Sequence, residues 1–327
     1  MVLLAVNYHY VSAEPPAEPR AIFPVTPDAL RVQLELLARE FEFVSRDALL
    51  AAVEDGAPLP ERGCLVTFDD GLRSHYELAL PVLERLGVPA VFFVSGRPLL
   101  ERRALHVHRV HHLRETLSET EFGTLLNRCL RELGATTPNV TDVQARSMYR
   151  YDELEAARTK FLLNVALGPM VSEQVVVRMF GEAGPGEAAF VDELYLEAEQ
   201  VVELEHRHGA IGAHGYAHRP FATLDPAVKV ADMEGGLRAL ARVTGRAPRM
   251  ISYPYGSAAA VTPAVGAAAA AIGFTVGLTM ERAVNHSLRD PLLLSRIDTN
   301  DAPGGRRPLD LAPRSRYFDE ASEAVRA

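Results

Sequence analysis

Apolar residues fall along this chain in two rhythms. Apolar runs at Val2–Val6, Leu65–Phe68 (interrupted by Thr67) and Val91–Val94 have the pattern of buried strands. Between them, apolar residues recur every third or fourth position, which predicts helices. One begins at Thr26-Pro27-Asp28 and carries Leu30, Leu34, Leu37 and Phe41; another covers 74–86, carries Tyr76, Leu80, Leu83 and Leu86, and stops at Gly87. Residues 12–27 read as a loop, Phe43–Ser45 as a short extended piece and Asp47–Val53 as a further helix. The order strand, helix, strand, helix, strand predicts a parallel sheet with right-handed crossovers.

From Arg97 to about Leu196 that rhythm fails. The stretch reads as mostly helical, with Phe122, Leu125, Leu126, Cys129 and Leu133 at helical spacing and a break at Gly184-Pro185-Gly186. It predicts a helical insertion within one domain. The alternation then resumes with a helix at Glu199–Arg207, a strand at Gly209–Ala213 and a helix at 226–243, with Val228, Met233, Leu237 and Leu240 turned inward. A strand from Met250, an Ala-rich helix at 258–271, a strand at Phe274–Leu278 and an extended run at Leu292–Ile297 follow. The tail from Pro303 is rich in Gly, Pro and Arg, then weakly helical, and is expected to be peripheral.

Polar residues able to do chemistry follow strand after strand: His9, Asp69 with Asp70, His214 with His218, Tyr255 and Arg296. In a parallel sheet or barrel the C-terminal strand ends gather on one face, where active sites are built.

The 327 residues, 48% hydrophobic and 24% charged, are enough for a full core. One large α/β domain or two smaller ones would fit. The net charge of −9, with no isolated Lys/Arg block, argues against nucleic acid as a partner. Cys64 and Cys129 form no CxxC pair and suggest a reducing compartment. The first ten residues lack a basic start and a long apolar run, so they read as a strand and not a signal peptide. No apolar run approaches the ~20 residues of a membrane span. These features predict a soluble, cytoplasmic protein.

Asp69 and Asp70 end an apolar run just before Gly71. Neighbouring residues on an extended chain point to opposite sides, so the two carboxylates can divide labour between a metal ion and a proton. His214 and His218, read as one helical turn, would bring their rings to one side. Either aspartate could complete a set of two His and one Asp around a divalent ion. His108 and His112 share the same spacing, but Arg102, Arg103, Arg109 and Arg114 surround them. That segment reads as a solvated basic helix face, since local positive charge disfavours a cation.

Thr67-Phe68-Asp69-Asp70-Gly71, His214-x-x-x-His218 and Tyr253-Pro254-Tyr255-Gly256, in this order, resemble the motifs of the polysaccharide deacetylases, the NodB-homology carbohydrate esterases. The resemblance covers about residues 2 to 300. Asn7–Val11, Val107–His111 and Ser295–Asn300 further resemble a branch with a long helical insertion, met among surface-glycan biosynthesis proteins. The resemblance implies a distorted (β/α) barrel of about seven parallel strands. It implies one divalent ion, zinc by preference, on Asp70, His214 and His218, with Asp69 as general base and the Tyr255 backbone N–H at the oxyanion.

Two positions depart from the family pattern. Ser252 stands where an arginine usually orients the base, and Leu294-Ser295-Arg296 stands where a histidine usually serves as general acid. Arg296 is therefore expected to pair with Asp69, and proton return to the amine falls to Asp69 itself or to another histidine, with His9 the first candidate; His75 and His286 are expected to be bystanders. The leading reading is a metal-dependent N-deacetylase acting on a small molecule or glycan that bears an N-acetylated amino sugar. An amidase or cyclic-imide hydrolase on a non-sugar substrate, and an inactive glycan-binding barrel, are the alternatives.

Overall fold

A computed structural model of the chain describes residues 1–149 and 152–309. The fold is α/β. Strands β1 (Val2–Tyr8), β2 (Glu42–Phe43), β3 (Arg62–Phe68), β4 (Ala90–Val94), β5 (Ile211–Ala213), β6 (Met250–Ser252), β7 (Val276–Leu278) and β8 (Ile297–Asp298) form one sheet. Its main path holds seven strands in the order β7-β6-β5-β4-β3-β1-β8, all parallel, curled into an incomplete barrel with helices outside. The short β2 pairs with the start of β3. Between β7 and β8 the curl is drawn together by Leu294, which bridges Leu278 just before Ile297 pairs with Val6.

The period of two along each strand sorts side chains into two layers. Leu4, Val6 and Tyr8 of β1 and Cys64, Val66 and Phe68 of β3 pack outward beneath the helices. Leu3 and Ala5, Leu65, Val91 and Phe93, and Met250 fill the inside of the curl. Continuing that inward series toward the strand ends reaches Asn7, Thr67, Asp69 and Ser252. The interior thus changes from apolar at one end to polar at the other. Each fully buried Leu or Phe of the apolar part contributes about 1.5–3 kcal/mol.

The outer helices are α1 (Pro27–Leu37), α2 (Arg46–Glu54) and α3 (Leu80–Leu86), the last entered through a π-turn at His75–Ala79. Thr26 and Ser45 cap the first two by accepting from the Ala29 and Ala48 amides. Next come α4 (Gly96–Glu101), α5 (His106–Thr116), α6 (Glu119–Glu132), α7 (Asp142–Met148), α8 (Leu154–Phe161), α9 (Pro169–Ala183) and α10 (Glu187–Leu194). These occupy the predicted insertion, where α5, α6, α9 and α10 share an apolar core around Leu113, Phe122, Leu126, Val175 and Phe180, and α7 and α8 pack a smaller one around Ala145, Ala157 and Phe161. The barrel resumes with α11 (Ala198–His208), α12 (Pro226–Thr244) and α13 (Pro263–Ile272). No helix among the described residues is long and apolar enough to cross a membrane.

Several local expectations change. Pro291–Leu293 is a 3-10 turn, so the predicted extended run is real only near its end. The Ala-rich helix starts at Pro263, where proline suits a first turn, and not at 258. Val228, expected to point inward, is exposed on α12. The weakly helical end of the tail lies outside the described residues.

Candidate active site

β3 delivers Asp69 on the inward side, with its amide bonded to the Tyr8 carbonyl at 3.0 Å. β8 brings Arg296 across from the far edge of the curl. Arg296 donates from Nη1 to Asp69 Oδ1 at 2.9 Å and from Nη2 to Oδ2 at 2.8 Å. Ser252 Oγ (2.9 Å) and Asn7 Nδ2 (3.1 Å) also donate to Oδ2. The guanidinium is fully used: it donates to the Thr279 carbonyl, Asn7 Oδ1 and Ser252 Oγ as well. Burial pushes the Asp69 carboxyl upward and is the largest single influence. The Arg296 charge, His214 and the Arg296 hydrogen bonds together outweigh it and hold the carboxyl well below the usual range. Asp69 is therefore a carboxylate at neutral pH, and Oδ1 keeps room for a further donor.

Asp70 turns away from this network. Its φ of 80° places a non-glycine residue in the left-handed region. Oδ1 lies 3.4 Å from His214 Nε2 and 3.3 Å from His218 Nε2. His214 follows β5, whose pairing with β4 continues in the bond from the His214 amide to the Val94 carbonyl. The expected helical turn joining the two histidines is absent, since 214–218 is a loop with Gly215 at φ 66° and His218 at φ 55°. Two residues in the left-handed region cannot belong to a right-handed helix. The loop is instead held by Asp232 of α12, which accepts from the amides of Tyr216 (2.8 Å) and Ala217 (3.3 Å). Gly236 lets α12 approach, because a Cβ there would lie 2.5 Å from the Gly215 carbonyl oxygen.

These three side chains fit a divalent cation. One ligand atom from each of Asp70, His214 and His218 lies within 4.8 Å of the others. Asp70 Oδ1 is buried and has no hydrogen-bond partner, a costly state for a carboxylate oxygen unless a cation faces it. His214 Nδ1 lies 2.8 Å from the Ser252 carbonyl, so Nδ1 carries the hydrogen and Nε2 turns a lone pair toward Asp70. Burial lowers His218 to about 4, which leaves its ring neutral and able to ligate. At His214 burial is outweighed by the Asp69 and Asp70 carboxylates, which raise the ring, so a proton and a cation would compete for its Nε2. Two nitrogens and one carboxylate oxygen are a donor set that first-row divalent ions, zinc among them, accept.

Tyr255 and His9 line the same cavity as Asp69 and Asp70, a space of about 280 Å³. Tyr255 has φ 63°. Of four non-glycine residues with positive φ among those described, three are Asp70, His218 and Tyr255. Backbone strain of about 1–3 kcal/mol each is thus concentrated here. His75 does not reach the cavity wall; it is buried, and its Nε2 lies 2.6 Å from the His9 carbonyl. His286 is exposed.

The basic segment expected to face solvent does so at Arg102 and Arg103, whereas its core turns inward. His108, Arg109 and Arg114 are 1%, 0% and 2% exposed. Arg109 pairs with Glu173 (3.2 Å) and Glu187, Arg114 with Glu119, and His108 Nε2 reaches Asp70 Oδ2 at 3.1 Å. Apart from the nearby Glu119, these carboxylates are distant and invisible in the local sequence. His108 and Asp232 are the site residues that the sequence reading missed. Asn7 and Thr67 carried a usable signal, being polar residues on the inward register of otherwise apolar strands.

The polysaccharide deacetylase family model matches residues 56–124 and 168–277, more than half of the chain. The unmatched interval between them falls in the insertion. Over 94 residues, 28% of this chain, the sequence is 34% identical to the poly-beta-1,6-N-acetyl-D-glucosamine N-deacetylase of Escherichia coli, and the match spans 14% of that protein. The structure of Streptococcus pyogenes deacetylase PplD in complex with acetate aligns with 91% of this chain and 92% of that one, at TM-score 0.55 and 16% identity. IcaB from Ammonifex degensii aligns with 90% and 91%, at TM-score 0.54 and 19% identity. At such identities the likeness is one of fold. The matched family model, spread over both sides of the insertion and across the Asp69–Asp70 and His214–His218 segments, makes this chain a member of the polysaccharide deacetylase family.

Proposed function

We propose that the protein is a metal-dependent hydrolase that removes the N-acetyl group from an amino sugar or an amino-sugar-containing precursor. The observation that carries this reading is the buried trio of Asp70, His214 and His218 next to an anionic Asp69. The trio would hold one divalent ion. Bound there, the ion would supply Lewis acidity to the amide carbonyl and to the attacking water.

The protein's own groups supply the rest. Asp69 takes the proton as water attacks. Its bonds to Arg296, Ser252 and Asn7 make it a weak base, so it suits a water already made acidic. Those bonds also fix the direction of its free lone pair. The Tyr255 backbone N–H donates to the developing oxyanion. His9, on the cavity wall, returns a proton to the departing amine.

The cavity volume of about 280 Å³ is close to the lower bound of ~300–1,000 Å³ for small-molecule sites. Tyr149 and Lys160 of the insertion form part of its wall.

The test is acetate release from a panel of N-acetylated sugars and nucleotide sugars, with zinc and with chelator. Chelation should abolish release. Asp69→Asn should abolish turnover, by about 10²–10⁴-fold, while leaving zinc bound. Ring opening of a cyclic imide without acetate release from any sugar would move the protein to the amidase reading.

A further inference from the structure

The barrel alone does not complete the surroundings of Asp70. While Oδ1 faces His214 and His218, Oδ2 faces His108 Nε2 at 3.1 Å. His108 belongs to α5, in the insertion. Its Nδ1 lies 2.6 Å from the Tyr195 hydroxyl oxygen, and that oxygen accepts the Leu105 amide at 2.9 Å. A carboxylate oxygen only accepts, so the His108 Nε2 that faces Asp70 Oδ2 carries hydrogen, and Nδ1 is in reach of the hydrogen of the Tyr195 hydroxyl. The Nε2 hydrogen of His108 therefore points at Asp70. The chain of donors runs from Leu105 through Tyr195 and His108 to the carboxylate.

Tyr195 is tied to the aspartate's own loop. Leu72 and Tyr195 form an antiparallel bridge, and the Leu196 amide bonds to the Gly71 carbonyl at 2.9 Å. His108, Tyr195 and Asp70 are all nearly inaccessible to solvent, at 1%, 3% and 4% exposure. Water does not compete for these bonds.

We propose that His108, locked in its tautomer by Tyr195, is a positioning residue for the metal ligand Asp70, so that the helical insertion completes the metal centre. This rests on the proposed reading that Asp70, His214 and His218 hold an ion. A carboxylate's terminal torsion is soft and roughly two-fold. Fixing Oδ2 by a hydrogen bond fixes Oδ1 on the side of the two histidines. His108 is not itself a ligand. It lies outside the group whose ligand atoms are within 4.8 Å of one another, and the nitrogen it turns to Asp70 carries hydrogen and not a lone pair. Partners of this kind are typically worth 10–100-fold in metal affinity.

The experiment is a zinc dissociation constant for the full chain, measured by competition with a chromophoric chelator. Thermal unfolding of each metal-free protein serves as the folding control. His108→Ala should bind zinc about 10–100-fold more weakly. His108→Gln, whose amide N–H stands in for Nε2–H, should recover most of that loss. Tyr195→Phe, which leaves His108 in place but frees its tautomer, should fall between wild type and His108→Ala. A folded His108→Ala protein that binds zinc as tightly as wild type overturns the proposal, as does His108→Gln binding no better than His108→Ala. If His108→Ala fails to fold, wild-type affinity in Tyr195→Phe overturns it. A wild-type chain that binds no zinc removes the metal centre and this inference together. One that binds zinc but releases no acetate removes only the deacetylase reading.

Discussion

The Arg296 guanidinium meets both oxygens of the Asp69 carboxylate, at 2.9 and 2.8 Å, with both side chains buried. Removing one member of such a pair strands the other charge away from water, at a cost of about 3–5 kcal/mol. Arg296→Met should lose that much stability in urea unfolding. Adding Asp69→Asn should restore part of it by removing the stranded charge. Equal stability of the single and double variants would contradict the pairing energetics.

His9 lines the cavity, and its carbonyl is held by His75. If its ring protonates the departing amine, activity must fall as pH rises and that proton is lost. His9→Ala should lower kcat and erase the basic limb of the pH–rate profile. An unchanged basic limb excludes His9 as the acid.

Glu173 of α9 joins Arg97 and Arg109 at 3.2 Å each, with His106 at 3.6 Å. Burial raises its carboxyl and is the largest influence, but His106 and the two arginines outweigh it, leaving the group at about 2. A depressed carboxylate contributes stability that is complete above the unfolded value of about 4.3. That contribution is lost as pH falls toward about 2. Glu173→Gln should be less stable than wild type at pH 7. It should also show a flatter fall in urea midpoint below about pH 4.3. Parallel curves for the two proteins would refute the linkage.

Asp232 holds the 214–218 loop through the Tyr216 and Ala217 amides. Asp232→Ala leaves buried N–H groups without a partner, which costs about 1–3 kcal/mol. Zinc affinity should fall with it, since His214 and His218 are carried by that loop. Asp232→Asn keeps one accepting oxygen and should retain more of both properties. A loop variant that unfolds more easily yet binds zinc normally would separate the two.

The barrel was legible because its strands are short apolar runs that end abruptly on polar residues, and β3 with its Asp69–Asp70 end is the plainest case. That His214 and His218 would meet the paired aspartates was legible for the same reason, although spacing alone did not choose between Asp69 and Asp70. What escaped depended on contacts far away in sequence. His108 sits among arginines, and the groups that neutralise this segment, Asp70, Glu173 and Glu187, lie 38, 64 and 78 positions from the side chains they meet. Local charge therefore pointed to solvent while tertiary pairing buried the helix. The His214–His218 spacing fits a helix turn equally well as a loop, and only the positive φ at Gly215 and His218 decides between them. Asp232 lies within a regular helix, and nothing nearby in the sequence announces that it accepts from another segment's amides.

The two acids that follow β3 share one peptide bond yet answer to different parts of the chain. Asp69 belongs with Arg296, Ser252 and Asn7, and Asp70 with His108, His214 and His218. Gaining or losing a single residue within Arg62–Phe68 would exchange the two sides. A loss would set Asp70 among the partners of Asp69 and turn Asp69 out beneath the helices, and a gain would set Asp69 among the partners of Asp70 and push Asp70 past them. Over generations this strand can change its letters but not its length.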